Sequence, residues 1–526
     1  MPSDDQDDQL LNIVDLPLDI LYLIFAHFRR SSSDPPRAGT NRRHECRNYH
    51  PNPDEALATI RGARQVCRAF NLVASQFLLP VLRVDLSQAS LDRASAVARN
   101  SSIAAGVLAV HVGLRYRSSV LADDLKRFTE FAFYSLNVES DMWDLETPEV
   151  LSGVDEEGPY QYAPNKDWVM NEVAVKRVKN RIGLVRRAWE KIGTENYRRV
   201  LYRAHGEYRR KHEEQTRLIS TGSFVDALAA AMTQVSGAGG LSLVFTDTIA
   251  GGERAYWSDE WRHKTKEDLM ETWTDGDQLL EYLSFPHCWS TIETRLEPNP
   301  HHQLDWRIDD EPPESYPPGA QHLPTRIMSE LPIAMHSEDV RLRKMKICIF
   351  PKTTGLTSLR PRVRDPRRLA IPSAPDAGWQ SLRAACQHLK SFNFGKGGNL
   401  SGRDIRVSHP ESEAQECINS FFSAVLSSSL LEDVRISMHS FGLNPENRPV
   451  KDYYHFGTVL GTTPTWPRIR SLHLLDVAAT ETELVQLFGN LGTRQLEHIS
   501  FHDITLAPGG NWDAPGFDRH DHIPIP

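Results

Sequence analysis

A six-residue apolar pattern, L-x-x-L-x-L in its general form, recurs four times in the last third of the chain. Its copies begin at Leu389, Leu431, Ile469 and Leu496, at intervals of 42, 38 and 27 residues. The alternation at the end of each copy is typical of a strand with one buried face. A chain that repeats such a strand at long intervals has to bury each copy against the next, and this restricts its possible folds severely.

Apolar residues at helical spacing lie between these copies, as at Leu484, Leu487 and Leu491. Alternation of strand and helix is the core of a leucine-rich repeat, because the apolar residues of each unit stack on the next unit. The sequence therefore predicts a leucine-rich-repeat-like region over residues 346–506. The Asn that usually follows the strand of such a repeat is missing, and a generic α/β domain would give a similar pattern. A mixed α/β fold is common to both interpretations, and the irregular solenoid is the preferred one.

Strand and helix patterns also alternate earlier in the chain. The predicted strands are 79–87, 105–116, 241–247 and 345–350, and the predicted helices are 88–102, 121–136 and 223–235. We therefore expect strand–helix units over 81–250, an irregular Pro- and Trp-containing region over 251–345 and a polar tail over 507–526.

The segment 11–28 predicts a helix that is apolar on more than one face. Pro17 suits the first turn because its missing N–H would have no partner there, and the Asp19 carboxylate complements the helix N-terminus. One apolar stripe holds Ile20 and Ile24, and the other holds Leu21, Phe25 and Phe28. A short surface helix needs only one stripe, so this helix lies deep in a core or is shared with a partner.

A second helical segment, residues 58–87, has apolar residues on two neighbouring tracks. The run Leu16-Pro17-x-Asp19-Ile20-Leu21-x-x-Ile24-Phe25, followed by Arg64-x-Val66-Cys67-Arg68-x-Phe70-x-x-Val73-Ala74, resembles an F-box. More closely, the chain resembles the large F-box family of filamentous fungi, in which irregular leucine-rich-repeat-like segments follow the box. The ordinary alternative is a helical hairpin that belongs to a core.

The resemblance implies an F-box-like helical module at 12–80 that docks on the Skp adaptor of a cullin–RING ubiquitin ligase. The residues that match the docking motif are Leu16, Pro17, Ile20, Leu21, Ile24, Phe25, Val66, Cys67, Phe70 and Val73. F-boxes usually join their two halves by a short turn, whereas here residues 29–57 intervene, rich in Ser, Pro and Arg. This composition predicts a solvated loop, which costs little additional closure entropy.

Residues 176–217 carry 14 Lys or Arg against 5 Glu, with Trp189, Tyr197, Tyr202 and Tyr208 interleaved. Basic and aromatic residues together are found in RNA-binding surfaces. The ordinary interpretation is a solvated helix pair whose aromatic side chains turn into the core. The net charge of the whole chain is −9, so composition does not favour nucleic acid, and we prefer the ordinary interpretation.

Several functional classes find no support in the sequence. No nucleophile elbow, zinc motif or nucleotide-binding loop is present, so we predict no enzyme activity, no metal and no cofactor. No apolar run approaches the roughly 20 residues that a membrane span needs. The first ten residues are acidic and polar, unlike a secretory signal peptide. The six Cys residues lack zinc or redox spacing, and the prediction is a reduced protein of the cytoplasm and/or nucleus.

The resemblance thus implies a substrate-receptor subunit of a Skp–cullin–F-box ubiquitin ligase, with an unknown target protein held by the repeat region. A leucine-rich-repeat scaffold without a ubiquitin role is the first alternative. An RNA-binding protein that uses residues 176–217 is the second.

Overall fold

The computed structural model describes residues 13, 16–26, 53–129, 131–132, 194–235, 240–246, 276–284, 324–351, 353–362, 376–395, 412–438, 454–462, 465–475, 477–491, 495–502, 504–506 and 510–511. The chain divides into two compact units. The first comprises Met1–Leu114, Ile219–Thr246 and Leu323–Pro526, and the second comprises Arg115–Leu218 and Asp247–His322. Most of the predicted loop insertion at 29–57 lies outside the described residues.

The described helices and strands alternate along most of the chain. The helices are α1 (Leu18–Ala26), α2 (Pro53–Ala63), α3 (Arg68–Ser75), α4 (Gln88–Arg99), α5 (Ser101–Ala104), α6 (Ser119–Asp123), α7 (Thr194–Thr221), α8 (Ser223–Met232), α9 (Gly276–Leu283), α10 (Ile327–Ser337), α11 (Ala377–Cys386), α12 (Ser412–Val425), α13 (Gly457–Thr462) and α14 (Glu481–Asn490). The strands are β1 (Val81–Asp85), β2 (Ala109–Gly113), β3 (Leu241–Thr246), β4 (Leu342–Ile347), β5 (Ser391–Phe394), β6 (Asp433–Ser437), β7 (Ser471–Leu475), β8 (Ala478–Ala479), β9 (His498–His502), β10 (Thr505–Leu506) and β11 (Gly510–Asn511).

The first unit is built on an open sheet of eight parallel strands in the order β1-β2-β3-β4-β5-β6-β7-β9. The order follows the sequence, so each strand pairs with the strand before it. Parallel strands need crossover connections, and these contain helices. Along the sheet, neighbouring helices contact each other in the order α4, α8, α10, α11, α12, α13 and α14, with the 3₁₀ helix Thr353–Leu359 packed against α12. A small second sheet joins β8, β10 and β11.

The two faces of the large sheet differ in polarity because successive side chains of a strand point to opposite faces. One row of paired residues across the apolar face is Leu82, Val110, Leu243, Met345, Phe392, Val434, Leu472 and Ile499. These side chains are buried from Leu82 to Leu472, as are the helix residues packed with them. Residues at the positions between them are mostly polar, and they form the face that we call the open face of the sheet.

Aromatic side chains fill the apolar core where β5 and α12 meet. The Phe394 and Phe422 rings lie edge to face with centroids 4.8 Å apart, and Phe350 packs on Phe394 at 5.0 Å. Phe456 closes the cluster against Phe422 at 5.1 Å. Such pairs contribute about 0.5–1.5 kcal/mol beyond the area they bury. This core explains why the last two apolar positions of the 389–394 pattern are aromatic.

Backbone hydrogen bonds repeat at the beginning of the later strands and fix their register. The N–H of Lys390 donates to Arg343 O, that of Glu432 to Lys390 O, and that of Arg470 to Glu432 O, at 2.7–2.8 Å. The Lys390 ammonium also pairs with the Glu432 carboxylate at 2.8 Å, which lowers the pKa of Glu432. The strands β5, β6 and β7 therefore begin with the same backbone hydrogen bond to the preceding strand.

An ion pair in the first unit joins segments distant in sequence. The Glu330 carboxylate, only 4% exposed, accepts from Arg362 Nε at 2.8 Å and from Arg362 Nη2 at 3.0 Å. The same guanidinium donates to the carbonyls of Ile219 and Ser220 in the last turn of α7. Carbonyls in the last turn of a helix lie beyond the regular helical N–H donors, and Arg362 helps to cap this end together with Gly222 N, which donates to Ile219 O at 3.2 Å.

The second unit holds an apolar cluster around Tyr208 of α7, joined by residues of α6 and α9. The Tyr208 hydroxyl accepts from Ser118 N at 2.8 Å, and the Arg117 guanidinium lies 5.9 Å from the Tyr208 ring centroid. Arg117 is buried and its Nε donates to Ser284 O at 3.0 Å. Burial, its largest influence, lowers the pKa of Arg117 to about 10.

The structure confirms the mixed α/β class, and it shows an open parallel sheet where the sequence predicted an irregular leucine-rich-repeat-like solenoid. All four L-x-x-L-x-L copies end in strands, namely β5, β6, β7 and β9. The single helix predicted over 121–136 is wrong, because α6 ends at Asp123. Asp124 then leaves helical geometry, and its carboxylate accepts from the N–H of Lys126 and of Arg127 at the start of another helical turn.

Candidate docking surfaces

Three short helices, α1 to α3, pack around one apolar cluster near the N-terminus. Leu21 and Phe25 of α1 are buried against Phe70 of α3, and the Phe25 and Phe70 rings meet edge to face with centroids 5.5 Å apart. Phe77, just after α3, also packs on Phe25. One stripe of α1 therefore belongs to the core of this helical group.

Helix α3 is held by side-chain hydrogen bonds at its beginning. The Cys67 thiol accepts from Phe70 N at 3.5 Å, a weak form of N-cap, since sulfur is a poor acceptor. Arg64 Nε donates to Asn71 Oδ1 at 3.2 Å and to Ser75 Oγ at 3.0 Å. The turn that carries Val66 is thereby fixed relative to α3.

Most large apolar side chains of α1 outside the buried stripe are exposed, although Ile24 is half-buried. Leu23 is 59% exposed, and Val66, in the turn before α3, is also 59% exposed. Seven of the eleven large apolar side chains that are exposed among the described residues lie between residues 13 and 72. They are Ile13, Leu18, Ile20, Tyr22, Leu23, Val66 and Leu72. We call this set the N-terminal apolar surface.

The ten residues predicted to contact an adaptor fall into three groups. The buried ones are Leu21, Phe25, Phe70 and Val73, the half-buried ones are Leu16, Ile24 and Cys67, and the exposed ones are Pro17, Ile20 and Val66. All but Pro17, Ile20 and Val66 belong to the apolar cluster or pack against it. Sequence analysis did not select Leu18, Tyr22 and Leu72. They could have been found as apolar residues at helix positions that face away from the buried side.

The open face of the sheet is the second extended surface. Its central row holds Arg83, His111, Val244, Lys346, Asn393, Arg435, His473 and Ser500, one residue from each strand. Arg83 is exposed, and most of the others are half-buried. Sequence analysis missed this row. In the repeated L-x-x-L-x-L pattern, the row is formed by the residue between the last two apolar positions, as with Arg435 between Val434 and Ile436. This position could have identified the row.

Two histidines of the central row respond to the charge around them. Burial, followed by the charges of Arg83 and Lys346, lowers the pKa of His111 to about 4. Burial, followed by the charge of Arg435, lowers the pKa of His473 to about 4. Both imidazoles are therefore neutral near pH 7, and the positive charge of the row comes from arginine and lysine.

The described residues contain no group of three or more His, Cys, Asp or Glu side chains placed to bind a metal ion. Cys386 is buried, and burial raises the pKa of its thiol to about 12, so this Cys is unreactive. Within the described part of the chain, no helix has both the length and the apolar character that crossing a bilayer requires.

Helix α7 covers the described part of the basic segment 176–217. Arg198, Arg199, Arg203 and Arg209 are exposed on it, whereas Tyr208 is buried. Arg210 pairs with Glu207 at 2.7 Å, and hydrogen bonding to Arg210 lowers the pKa of Glu207 to about 2. Tyr202 is exposed, so the aromatic side chains divide between core and solvent.

No protein-family model, no curated protein and no solved structure matches this chain. Its class is therefore defined by the fold and the two surfaces alone. It is a mixed α/β protein with an open parallel sheet, an apolar N-terminal surface and a polar open face.

Proposed function

We propose that this protein is a substrate receptor of a Skp–cullin–F-box ubiquitin ligase, in which the N-terminal apolar surface docks on the Skp adaptor. The observation that carries the proposal is the concentration of exposed apolar side chains between residues 13 and 72. Exposed apolar patches of this kind mark interaction sites in proteins that otherwise bury their apolar residues.

The arrangement of α1 supports a docking role over a purely structural one. Leu21 and Phe25 anchor the helix, and on the same helix Ile20 and Leu23 face solvent. A rigid anchor lowers the entropy lost on binding, because the apolar side chains are already held in place. The F-box resemblance supplies the identity of the partner, and α1 to α3 would form the F-box bundle.

The sheet would act as the receptor part, as an irregular leucine-rich-repeat-like solenoid. Strands in chain order, each with its helix beside the helix of the next, support this interpretation. The target protein would be held on this region. Other subunits would transfer ubiquitin, and this chain would raise the effective concentration of target lysines near them.

Co-expression of the full chain with a fungal Skp adaptor, followed by size-exclusion chromatography, tests the proposal. We expect co-elution at one-to-one stoichiometry. Val66→Asp places a charge in the N-terminal apolar surface and should abolish co-elution. Val485→Asp is the matched control, because Val485 is a 64% exposed valine on α14, and it should leave co-elution unchanged.

Two results would contradict the proposal. One is a monomeric wild-type chain that ignores the adaptor. The other is equal adaptor binding by the Val66 and Val485 variants. In either case the buried positions of the motif, such as Leu21 and Phe70, support only the scaffold alternative, in which the three helices are a core and nothing more.

A further inference from the structure

The open face of the sheet carries a charge opposite to that of the chain. The whole chain has a net charge of −9. Among the described strand residues on the open face, the positions with lysine or arginine are Arg83, Lys344, Lys346 and Arg435, and the positions with a carboxylate are Asp85 and Asp433. A positive face on a negative protein points to a partner with negative charge.

The central row contains no carboxylate in any of its eight positions. Asp433 lies beside it, where its carboxylate accepts from Ser391 Oγ at 3.0 Å and stands 3.5 Å from Arg435 Nε. That separation is long for a charge-assisted hydrogen bond, which is about 2.7–2.9 Å. Asp433 is therefore a loosely held partner of Arg435. Burial is the main cause of the lowered pKa of His473, and the charge of Arg435 adds to it.

We propose that the open face binds an extended acidic segment of a partner polypeptide, laid across the strands along the central row. The inference rests on the proposed function, in which the acidic segment is the recognised feature of the target. Glu or Asp side chains of the segment would pair with Arg83, Lys346 and Arg435.

The spacing of the three cations sets the spacing of the acidic residues. Neighbouring strands lie about 4.8 Å apart, so Arg83 and Lys346, three strands apart, are separated by about 14 Å along the row. Lys346 and Arg435, two strands apart, are separated by about 10 Å. An extended chain advances about 3.3 Å per residue. Successive side chains of an extended chain point to opposite sides, so acidic residues that face the row must be an even number of positions apart. Positions 1, 5 and 9 meet this condition, and the long glutamate and lysine side chains span the remaining difference of about 3 Å.

A polypeptide fits the open face better than a nucleic acid does. Single-stranded nucleic acids stack their bases on aromatic side chains. The described strand residues of the open face include no Phe, Tyr or Trp. The carboxylates of Asp85 and Asp433 would also repel an unbroken phosphate backbone, whereas a peptide can place a neutral or basic residue opposite each of them.

Fluorescence anisotropy with the full chain tests the inference. The probe is a labelled peptide of about nine residues in an Ala/Ser/Thr background with Glu at positions 1, 5 and 9, so that all three carboxylates lie on one side of the extended chain. The reference peptide has Gln at these positions, and labelled oligouridine is the nucleic-acid probe. We expect the Gln peptide to bind at least roughly tenfold more weakly than the Glu peptide, and binding of the Glu peptide to weaken with added salt.

Charge reversal locates the site. Lys346→Glu with Arg435→Glu should weaken binding of the Glu peptide by roughly tenfold or more. The matched control is Arg198→Glu with Arg209→Glu on α7, which should leave binding unchanged. Lys346→Arg with Arg435→Lys keeps both charges and should retain binding, and far-UV circular dichroism confirms that each variant is folded.

The inference is overturned if the Glu peptide does not bind, or if it binds the three double variants with the same affinity. It is also overturned if Lys346→Glu with Arg435→Glu abolishes binding of oligouridine and leaves binding of the Glu peptide unchanged. The result is independent of adaptor binding. If the chain binds the peptide but does not co-elute with the adaptor, the peptide site stands and the proposed ubiquitin-ligase role does not. If the chain co-elutes with the adaptor but does not bind the peptide, only the ubiquitin-ligase role stands.

Discussion

The N-terminal helices and the parallel sheet place their apolar side chains differently. In the sheet, the residues of each strand alternate between a buried apolar position and a polar one, as with Val434, Arg435 and Ile436. In α1, apolar residues occupy the buried stripe and much of the exposed surface as well. The sheet therefore uses its apolar residues for its own stability, whereas α1 has more of them than its packing requires.

The helix caps differ in the same way. Helix α3 begins at the weakly accepting Cys67 thiol. Helix α14 begins with a full capping box, in which Thr480 Oγ1 accepts from Glu483 N at 3.2 Å and Glu483 Oε2 accepts from Thr480 N at 2.8 Å. The N-terminus of α14 is therefore fixed by two hydrogen bonds between Thr480 and Glu483, whereas that of α3 has one weak hydrogen bond to a thiol.

The largest effect should come from a core aromatic residue of the sheet. Phe422→Ala removes a ring that packs on Phe394 and Phe456, and it should lower the free energy of unfolding by about 3–5 kcal/mol. Leu23→Ser in α1 changes an exposed side chain and should stay within about 0.5 kcal/mol. Urea unfolding followed by circular dichroism measures both. Equal losses would remove the distinction between the two regions.

A smaller effect should come from the buried ion pair of the sheet region. Arg362→Met removes the closer ion-pair partner of the buried Glu330 carboxylate and leaves Arg326 Nε at 3.9 Å, and it should cost about 3 kcal/mol. The exposed Arg360–Glu413 pair, at 3.7 Å, provides the control, and Arg360→Met should cost less than about 1 kcal/mol. Adding Glu330→Met to Arg362→Met should restore part of the loss. If the two arginine variants unfold at the same urea concentration, the Arg362 clamp does not stabilise the sheet.

The smallest effect should appear in the pH dependence of stability. Burial alone would raise the pKa of Glu483, but hydrogen bonds from the Thr480 backbone, the Thr480 side chain and His455 bring it below the ordinary value of 4.5. The stabilisation is therefore complete above pH 4.5 and is lost as the pH falls through the lower folded pKa.

Glu483→Gln should cost about 1 kcal/mol at pH 7 and should weaken the loss of stability between neutral and acidic pH. Glu481→Gln, an exposed change in the same helical turn, is the control and should keep the wild-type pH dependence. Thermal unfolding at a series of pH values checks this. Identical pH profiles for the two variants would show that the ionised carboxylate of Glu483 does not contribute to the stability of α14.

Much of the fold could be predicted from the sequence because the strand signal is local. Each L-x-x-L-x-L copy contains the alternation that buries one side of a strand, and β5, β6, β7 and β9 formed where it occurs. The break at Asp124 was missed because the apolar spacing continues across it. Only the capping hydrogen bonds from Lys126 N and Arg127 N reveal that a new turn begins there.

The candidate surfaces were predicted unevenly. The F-box-like motif selected residues that lie together, but it could not separate the buried Leu21 from the exposed Ile20, because both are apolar residues of one helix. The central row could not be predicted from any one segment. Arg83 and Arg435 are 352 positions apart in the sequence (435 − 83), and only strand pairing through β2 to β5 places them in one row.

The agreement between strand order and chain order has a consequence for synthesis on the ribosome. Each strand from β2 to β9 in the large sheet pairs with a strand of that sheet that has already been made, so none of these strands has to wait for a later partner. Each newly added strand leaves one open edge, and the next strand in the chain covers it. The growing chain can therefore fold progressively from its N-terminus, and the exposed apolar side chains of α1 are synthesised before the strands of the large sheet.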